Sequence, residues 1–362
     1  MGYFFLVASL ILLVMQVVIG LWFYWIFPSI GWRIPVLIGP VLLTAFVCFA
    51  MTYTRTYYGI CATIAYYLAH IWAGLVFIFF SVILIFALIQ ILCLLFHISA
   101  QHTLKWVSVV VLTILTLLSL WGGFSSPSLR HIYVEIPGAP DFTAAIISDT
   151  HLGLGVSLSR WQKALQRIQT QKPDLLLILG DLFEYGKQPS DYAKALAQLK
   201  TPLGSYGVLG NHEYYVGYQN SLRFYEDAGI NLLQNQITTL PNGLQIIGIN
   251  DIRTASVTAK QLNELLNQTD PNKPRIVLSH QPLLTDVVSA HKIPLMLSGH
   301  THAGQIWPFR HLVKLFYTYV YGLHQMGPAS KIYVTSGMFY WEMPLRLFAP
   351  AEIAIIHVNQ HV

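Results

Sequence analysis

Asp149 and His151 stand one residue apart in SDTH, and His300 and His302 repeat that spacing in SGHTH. Residues i and i+2 of an extended segment point the same way, so each pair can present two donor groups to one place. The pattern alone is weak, because a polar turn after a buried strand yields it as readily as a metal site does. The same half of the chain adds Gly180 and Asp181 in LGDLFE, Asn211, His212 and Glu213 in LGNHE, and His280 in LSH. Each has an ordinary reading: Asp149 or Asp181 as a helix cap, Asn211 as a turn residue, His212 or His280 as a loop or surface histidine. Glu213 reads as a carboxylate at a helix start. Yet all five motifs close short apolar runs, and so many independent coincidences favour a metal site. Carboxylate, imidazole and amide oxygen with no cysteine nearby exclude a structural zinc knuckle. They suit Mn2+, Fe2+ or Zn2+ better than Ca2+, with Mn2+ the first expectation and Mg2+ also open. Seven ligands with one shared carboxylate are too many for one ion and fit two, about 3.5 to 4 Å apart.

The elements that must position these groups are legible as buried strands: TAAIISD, DLLLILGD, GSYGVLGN, LQIIGIND, PRIVLSH and PLMLSGH have their length and apolar character. Helical patterns alternate with them, such as SLSRWQKALQRIQTQ with Trp161, Leu165 and Ile168 on one face, and SDYAKALAQLK with Ser190 as a cap. Alternation of this kind predicts a layered α/β domain, and ligands of open α/β sheets collect at the carboxyl ends of strands.

Before this domain the composition changes. Residues 1 to 125 carry no Asp or Glu and only Arg33, Arg55 and Lys105 as formal cations, so all 16 acidic residues lie beyond. The net charge of +5 thus divides into three in the apolar part and two in the rest. A nearly neutral catalytic half gives no reason to expect nucleic acid as a partner. Four apolar stretches, about 3–27, 34–52, 70–97 and 104–122, reach the roughly 18 to 20 residues that cross a bilayer. Trp22, Tyr24, Trp25 and Trp121 mark span ends, as interfacial aromatics do. The tyrosine-rich stretch between the second and third spans is expected near the interface. The start MGYFFLVASL has no basic residue, unlike a cleaved signal peptide.

The expected organisation is an N-terminal four-helix transmembrane bundle at 1–125, a linker at 126–137 entering a first strand, and an α/β catalytic domain at 138–362. Four spans put the N-terminus and that domain on one side. Loop cations divide two and two between the sides, and the basic residues just downstream tilt the domain toward the cytoplasm. Cys48, Cys61 and Cys93 all lie in the apolar part, which fits a reducing compartment without excluding an oxidising one.

The ordered series D-x-H, G-D, G-N-H-E, a single H and G-H-x-H resembles the calcineurin-like metallophosphoesterase superfamily over roughly residues 138 to 362. GHTHAGQIWPF, YGLHQ, YVTSGMFYWEMPLR and APAEIAII look like its bacterial membrane-associated branch, typified by YkuE and YaeI. That branch commonly has Gly where Ala303 stands, a place where a methyl group is expected to be tolerated. The resemblance implies a layered α/β/β/α metallophosphoesterase sandwich. It implies that Asp149, His151 and His302 hold a first metal, and Asn211, His280 and His300 a second, with Asp181 bridging. His300 and His302 would then be adjacent because they serve adjacent ions, with Gly299 and Gly304 allowing a tight turn. By the same resemblance His212 protonates the leaving oxygen or clamps the phosphate.

The expected activity is hydrolysis of a phosphodiester or pyrophosphate bond, with the membrane bilayer and a phosphate-containing substrate as partners. WPFRHLVKLFYTYVYG and MFYWEMPLRLF, with Arg310, Lys314 and Arg346, read either as core or as an apolar, basic-edged wall meeting the bilayer. The second reading favours a lipid-linked substrate such as UDP-2,3-diacylglucosamine in the bacterial inner membrane. A soluble nucleotide or small phosphate ester is the alternative. A non-catalytic module would have lost ligands that this chain keeps, and a bundle without one acidic residue argues against a transporter.

Overall fold

The computed structural model describes residues 2–28, 33–184 and 190–360. They form two compact units. One runs from the N-terminus through Phe124 and takes in Ile306–Pro308 and Glu342–Leu347; the other holds Ser125–Gln305, Phe309–Trp341 and the chain from Phe348 onward.

The first unit contains helices α1 (Gly2–Ile26), α2 (Arg33–Tyr53), α3 (Ile60–Leu95) and α4 (Gln101–Phe124). Three stretches are long and apolar enough to cross a membrane: Leu6–Ile26, Ile60–Leu95 and Gln101–Phe124. The expectation of four is met by three among the described residues. In α2 the apolar stretch is the shorter Ile38–Tyr53; Arg33 opens that helix and Pro40 lies inside it. The stretch expected near the interface is helix from Ile60 onward, as the start of α3. At about 1.5 Å per residue, the 36 residues of α3 exceed the roughly 30 Å of a bilayer core.

Several polar groups inside this unit are paired, as an apolar environment favours. Gln16 donates to Thr44 Oγ1 at 2.8 Å and accepts from the Trp72 indole at 3.0 Å, and Trp22 donates to Ser108 Oγ at 3.2 Å. Outside, Leu42, Ile60, Leu95 and Trp121 are exposed, a surface suited to lipid rather than water. Ile306, Leu345 and Leu347 join Ile19, Trp22 and Val76 in one apolar cluster. Glycines make room for them: a Cβ on Gly74 would meet Leu345, and one on Gly122 or Gly123 would meet the carbonyls of Arg346 or Pro344.

The second unit holds two six-stranded sheets. The strands are β1 (Ser128–Val134), β2 (Phe142–Ile147), β3 (Leu175–Ile178), β4 (Ser205–Gly207), β5 (Asn231–Leu232), β6 (Gln236–Thr239), β7 (Gln245–Ile249), β8 (Arg275–Ser279), β9 (Leu295–Ser298), β10 (Gly322–Gly327), β11 (Ser330–Val334) and β12 (Glu352–Val358). One sheet runs β1-β12-β2-β3-β4-β5, the other β10-β11-β9-β8-β7-β6. Each is mixed: β2, β3, β4 and β5 are parallel, as are β7, β8, β9 and β11, while β12 meets β2 and β10 meets β11 antiparallel. β2, β3, β8 and β9 are almost wholly buried, which is why they read as continuous apolar runs. One cluster draws Ile146, Leu177 and Ile356 from the first sheet and Ile246, Leu278 and Leu297 from the second.

Residues 126–137, expected as a linker, include β1, which pairs in parallel with β12. Ile132 and Val134 alternate inward there, so the stretch has a core of its own to join. The helices are α5 (Leu158–Thr170), α6 (Ser190–Ala197), α7 (Asn211–Tyr215), α8 (Tyr218–Asp227), α9 (Ala259–Leu266), α10 (Thr285–Ala290) and α11 (Phe309–Val313). Ser157 caps α5 by accepting from the Arg160 amide, and α5 buries Trp161, Leu165 and Ile168. Thr258 and Gln261 cap α9 reciprocally, the pairing expected of a Thr followed three residues later by Gln. Ser190 is the first residue of α6, and position 189 lies outside the described residues.

Candidate metal centre

Five parallel strands deliver the donors at their carboxyl ends. Asp149 and His151 follow β2, Asp181 follows β3, Asn211 and His212 open α7 after β4, His280 follows β8, and His300 and His302 follow β9. Their side chains meet in three groups whose donor atoms lie within 4.8 Å of one another: Asp149, His151 and His302; His151, Asp181 and His212; and Asp181, His280 and His300. Asp181 thus belongs to two groups, one on each side of it.

In the first group His302 Nε2 lies 3.3 Å from Asp149 Oδ1 and 3.0 Å from His151 Nε2. Asp149 is held by the His300 amide at 2.9 Å and by the Ser148 hydroxyl. In the third, His280 Nε2 is 3.1 Å from Asp181 Oδ2 and 3.2 Å from His300 Nδ1. The other nitrogen of His280 donates to the Leu179 carbonyl at 2.7 Å. That bond fixes the ring and frees Nε2 for a ligand, the usual device behind a metal-bound imidazole. Asn211 is buried, and its Oδ1 has no hydrogen-bond partner among the described residues. A buried amide oxygen without a donor is costly, and a cation removes that cost. These residues therefore fit divalent metal ions.

Charge compensation within the chain points the same way. Burial opposes ionisation of Asp149 and Asp181, yet histidines hold both well below the usual carboxylate range, His302 for Asp149 and His280 for Asp181. Burial also opposes the charge on His280, but Asp181 and Asp149 outweigh it and raise the ring to about 10. His300 goes the other way, down to about 3, through burial and the neighbouring His280.

His212 sits beside these groups and faces a residue that the sequence reading passed over. Its Nδ1 is 3.1 Å from Glu184 Oε2, while Glu184 Oε1 is 2.7 Å from His151 Nδ1. Burial disfavours charge on His212, but Glu184, Asp181 and Glu213 more than reverse that and raise it to about 10. Glu184 itself is held well below its ordinary value, its burial outweighed by His212 and His151. The signal was a second acid three residues after Asp181, close enough to share its strand end.

Glu213 begins a helix, as expected, and does more. It accepts from the amides of Gly210 (2.7 Å), Asp181 (2.9 Å) and Leu182 (2.7 Å), tying two ligand turns together. Burial and the nearby Asp181 raise its carboxyl to about 6. Asp251, after β7, accepts twice from Gln281, which in turn accepts from Tyr317, whose ring lies 5.3 Å from His300.

The backbone is strained where these donors stand. Asp149, His151, Asp181, His300 and His302 have φ of 53°, 42°, 52°, 71° and 48°, a region costing non-glycine residues on the order of 1–3 kcal/mol each. Strain on this scale persists where function requires the geometry. Gly304, with φ +79°, turns as expected, and a Cβ on it would strike Arg310. Gly299 serves by room instead: a Cβ there would collide with Ser148 Oγ and Asp149 Oδ2. Ala303 is itself left-handed, at φ 53° and ψ 23°, which explains why glycine suits that position.

Two half-exposed aromatics flank His212, with ring centroids 5.5 Å away at Tyr215 and 6.2 Å at Trp341. Gln305 fixes Trp341 by accepting from its amide at 2.8 Å and donating to its carbonyl at 3.0 Å.

Donors from five strand ends gathered around a shared carboxylate define a metal-binding α/β protein. A family model described as Calcineurin-like phosphoesterase matches residues 142–304. An uncharacterized metallophosphoesterase of Helicobacter pylori is 36% identical over 247 residues, 66% of this chain and 66% of that protein. A transmembrane protein with metallophosphoesterase domain from Bos taurus is 30% identical over 267 residues, 68% of this chain and 60% of that one. Phosphodiesterase YaeI of Escherichia coli is 31% identical over 214 residues, 55% of this chain and 76% of that one. This chain belongs to the calcineurin-like metallophosphoesterases. It spans about two thirds of the length of the H. pylori relative.

Proposed function

We propose that the protein is a membrane-anchored dinuclear metallophosphoesterase. Asp149, His151 and His302 would hold one divalent ion and Asn211, His280 and His300 the other, with Asp181 as the shared ligand. The supporting observation is two donor groups, Asp149 with His151 and His302, and Asp181 with His280 and His300, with Asp181 also within reach of His151, beside a buried Asn211 oxygen with no hydrogen-bond partner among the described residues. Mn2+ is the first assignment, with Fe2+, Zn2+ or Mg2+ as substitutes. When bound there, two such ions would polarise phosphoryl oxygens and make a water more acidic near pH 7.

The chain's own residues do the rest. His212 presents Nδ1 to Glu184, so its Nε2 carries the proton for the leaving oxygen. Glu184 keeps that ring charged until the proton is needed. Glu213 fixes the two turns that aim Asp181 and His212. Hydrolysis then needs no covalent intermediate.

The bond cleaved is a phosphodiester or pyrophosphate, in a lipid-linked substrate such as UDP-2,3-diacylglucosamine. Apolar helices in the same chain support a substrate that is itself in the membrane. Tyr215 and Trp341 beside His212 support a second reading, a soluble nucleotide whose base stacks on them. We further assign four crossings to the helices, domain limits at 1–125, 126–137 and 138–362, an α/β/β/α layering, and a catalytic domain on the cytoplasmic face of a bacterial inner membrane.

The test uses detergent-solubilised protein with Mn2+ and the Asn211→Ala variant as blank, offered UDP-2,3-diacylglucosamine and a soluble nucleotide diester. UMP and lipid phosphate from the first alone support the lipid reading. Cleavage of the diester alone keeps the chemistry and removes the lipid. No metal-dependent release from either sinks both.

A further inference from the structure

Helix α11 and the turn after it expose an unusual surface. Phe309, Leu312, Leu315 and Phe316 are 41%, 47%, 76% and 66% exposed, in eight consecutive residues of a well-packed unit. Water-facing clusters of this kind mark interaction sites. Arg310, His311 and Lys314 are interleaved with them, and no Asp or Glu occurs between Asp286 and Glu342. The segment is therefore apolar with the exposed cation Lys314 and contains no acidic residue, while the Arg310 guanidinium lies over the Tyr321 ring.

Chain continuity indicates what covers it. Residues 306–308 and 342–347 belong to the unit of apolar helices. The residue just after each excursion is an exposed phenylalanine, Phe309 and Phe348, and the residue before the second is the half-exposed Trp341. Aromatics at such junctions are the pattern of a membrane interface. α11 also rests on the turn that carries His302, since Gly304 has room for no Cβ beside the Arg310 backbone.

We propose that residues 309–316 are an interfacial element that seats in the headgroup region of an anionic bilayer, with the four apolar side chains inserted and the exposed Lys314 at the lipid phosphates. A short amphipathic segment with basic residues beside its apolar face binds in this way, and anionic lipid strengthens the attachment. The inference rests on the helices being in a membrane and not on the substrate being a lipid. By its contact with the His302 turn, the element holds the metal centre at a fixed height above the leaflet.

The experiment uses the full chain, with its three cysteines replaced by serine, in nanodiscs of phosphatidylcholine with and without phosphatidylglycerol. Single cysteines at Leu315 or Phe316 carry a nitrobenzoxadiazole probe, and quenching by doxyl-labelled lipid is measured. Lys260, on an exposed face of the same unit, is the water control, and Leu117, exposed on α4, is the lipid control. The expected result is about twofold stronger quenching at 315 and 316 than at 260, greater for shallow than for deep doxyl groups and rising with phosphatidylglycerol. Quenching at 315 and 316 equal to that at 260, with 117 quenched, overturns the proposal. A blue-shifted but unquenched probe overturns it too, because protein rather than lipid then covers the patch. An unquenched 117 sinks both the proposal and the membrane reading beneath it.

Discussion

Replacing Glu184 by Gln keeps the shape of the side chain and removes its charge from beside His212 and His151. Two unit charges about 4 Å apart at an effective dielectric near 20 interact by roughly 4 kcal/mol, and about 1.4 kcal/mol moves a pKa by one. Asp181 and Glu213 still face His212, so we take somewhat less than the whole effect. The imidazole then comes down from about 10 to roughly 8. A general acid must be protonated, so activity falls as pH rises through that value. The alkaline limb of kcat/KM should move down by about two pH units, and at pH 9 the variant should be about tenfold slower than at pH 7. Bound cations lower both proteins' values together, so the separation of the limbs is the readout. The assay is the pH–rate profile with bis(p-nitrophenyl) phosphate at saturating Mn2+, with metal content measured alongside. Coincident alkaline limbs would show that Glu184 does not govern the proton on His212. Complete loss of metal would make its contact with His151 the dominant one instead.

His212→Ala should retain both metals and lose rate by about 100- to 10,000-fold; loss of metal, by elemental analysis, would contradict its role. Asn211→Ala or Asp181→Ala should abolish turnover, whereas wild-type rates in either would remove them from the ligand set. Ala303→Gly should raise stability by about 1 kcal/mol by relieving a left-handed alanine, seen as a higher Tm in detergent; an unchanged or lower Tm counts against that strain. His280 is held near 10, above its ordinary value, so in metal-free protein its contribution to stability is complete below about pH 6.5 and is lost as pH climbs toward 10. Metal binding must then expel protons near pH 7 and tighten as pH rises. Calorimetric titration with Mn2+ in two buffers of different ionisation heat should give different enthalpies, and equal heats would refute this.

The candidate donors were legible as a set because each motif is local: a buried strand, then a turn whose polar groups have nowhere else to go. What sequence spacing does not carry is a partner from another strand end. Glu184 passed unnoticed because its value lies in reaching His212, and Glu213 was seen only as a helix start, although it binds three amides on two turns. The sheets were legible as strands but not as an order. β12 lies between β1 and β2, and nothing in an apolar run near the end of the chain says which edge it will join. In the helices hydropathy marked the apolar stretches, yet α3 begins at Ile60 because tyrosines suit a helix as well as an interface. The cluster that buries Ile306, Leu345 and Leu347 with the helices leaves no trace in a hydropathy profile.

That cluster also bears on how the protein is made. The ribosome has finished all four helices by residue 124, but the side chains that complete their interior, Ile306, Leu345 and Leu347, are made only much later. At about 5–20 residues per second, some 200 residues take on the order of 10–40 s. Until then Gly74, Gly122 and Gly123 face places that Leu345, Arg346 and Pro344 will fill. Insertion and closure of this unit are therefore separate events in time, and a chain halted before residue 342 has helices without the residues that finish their core.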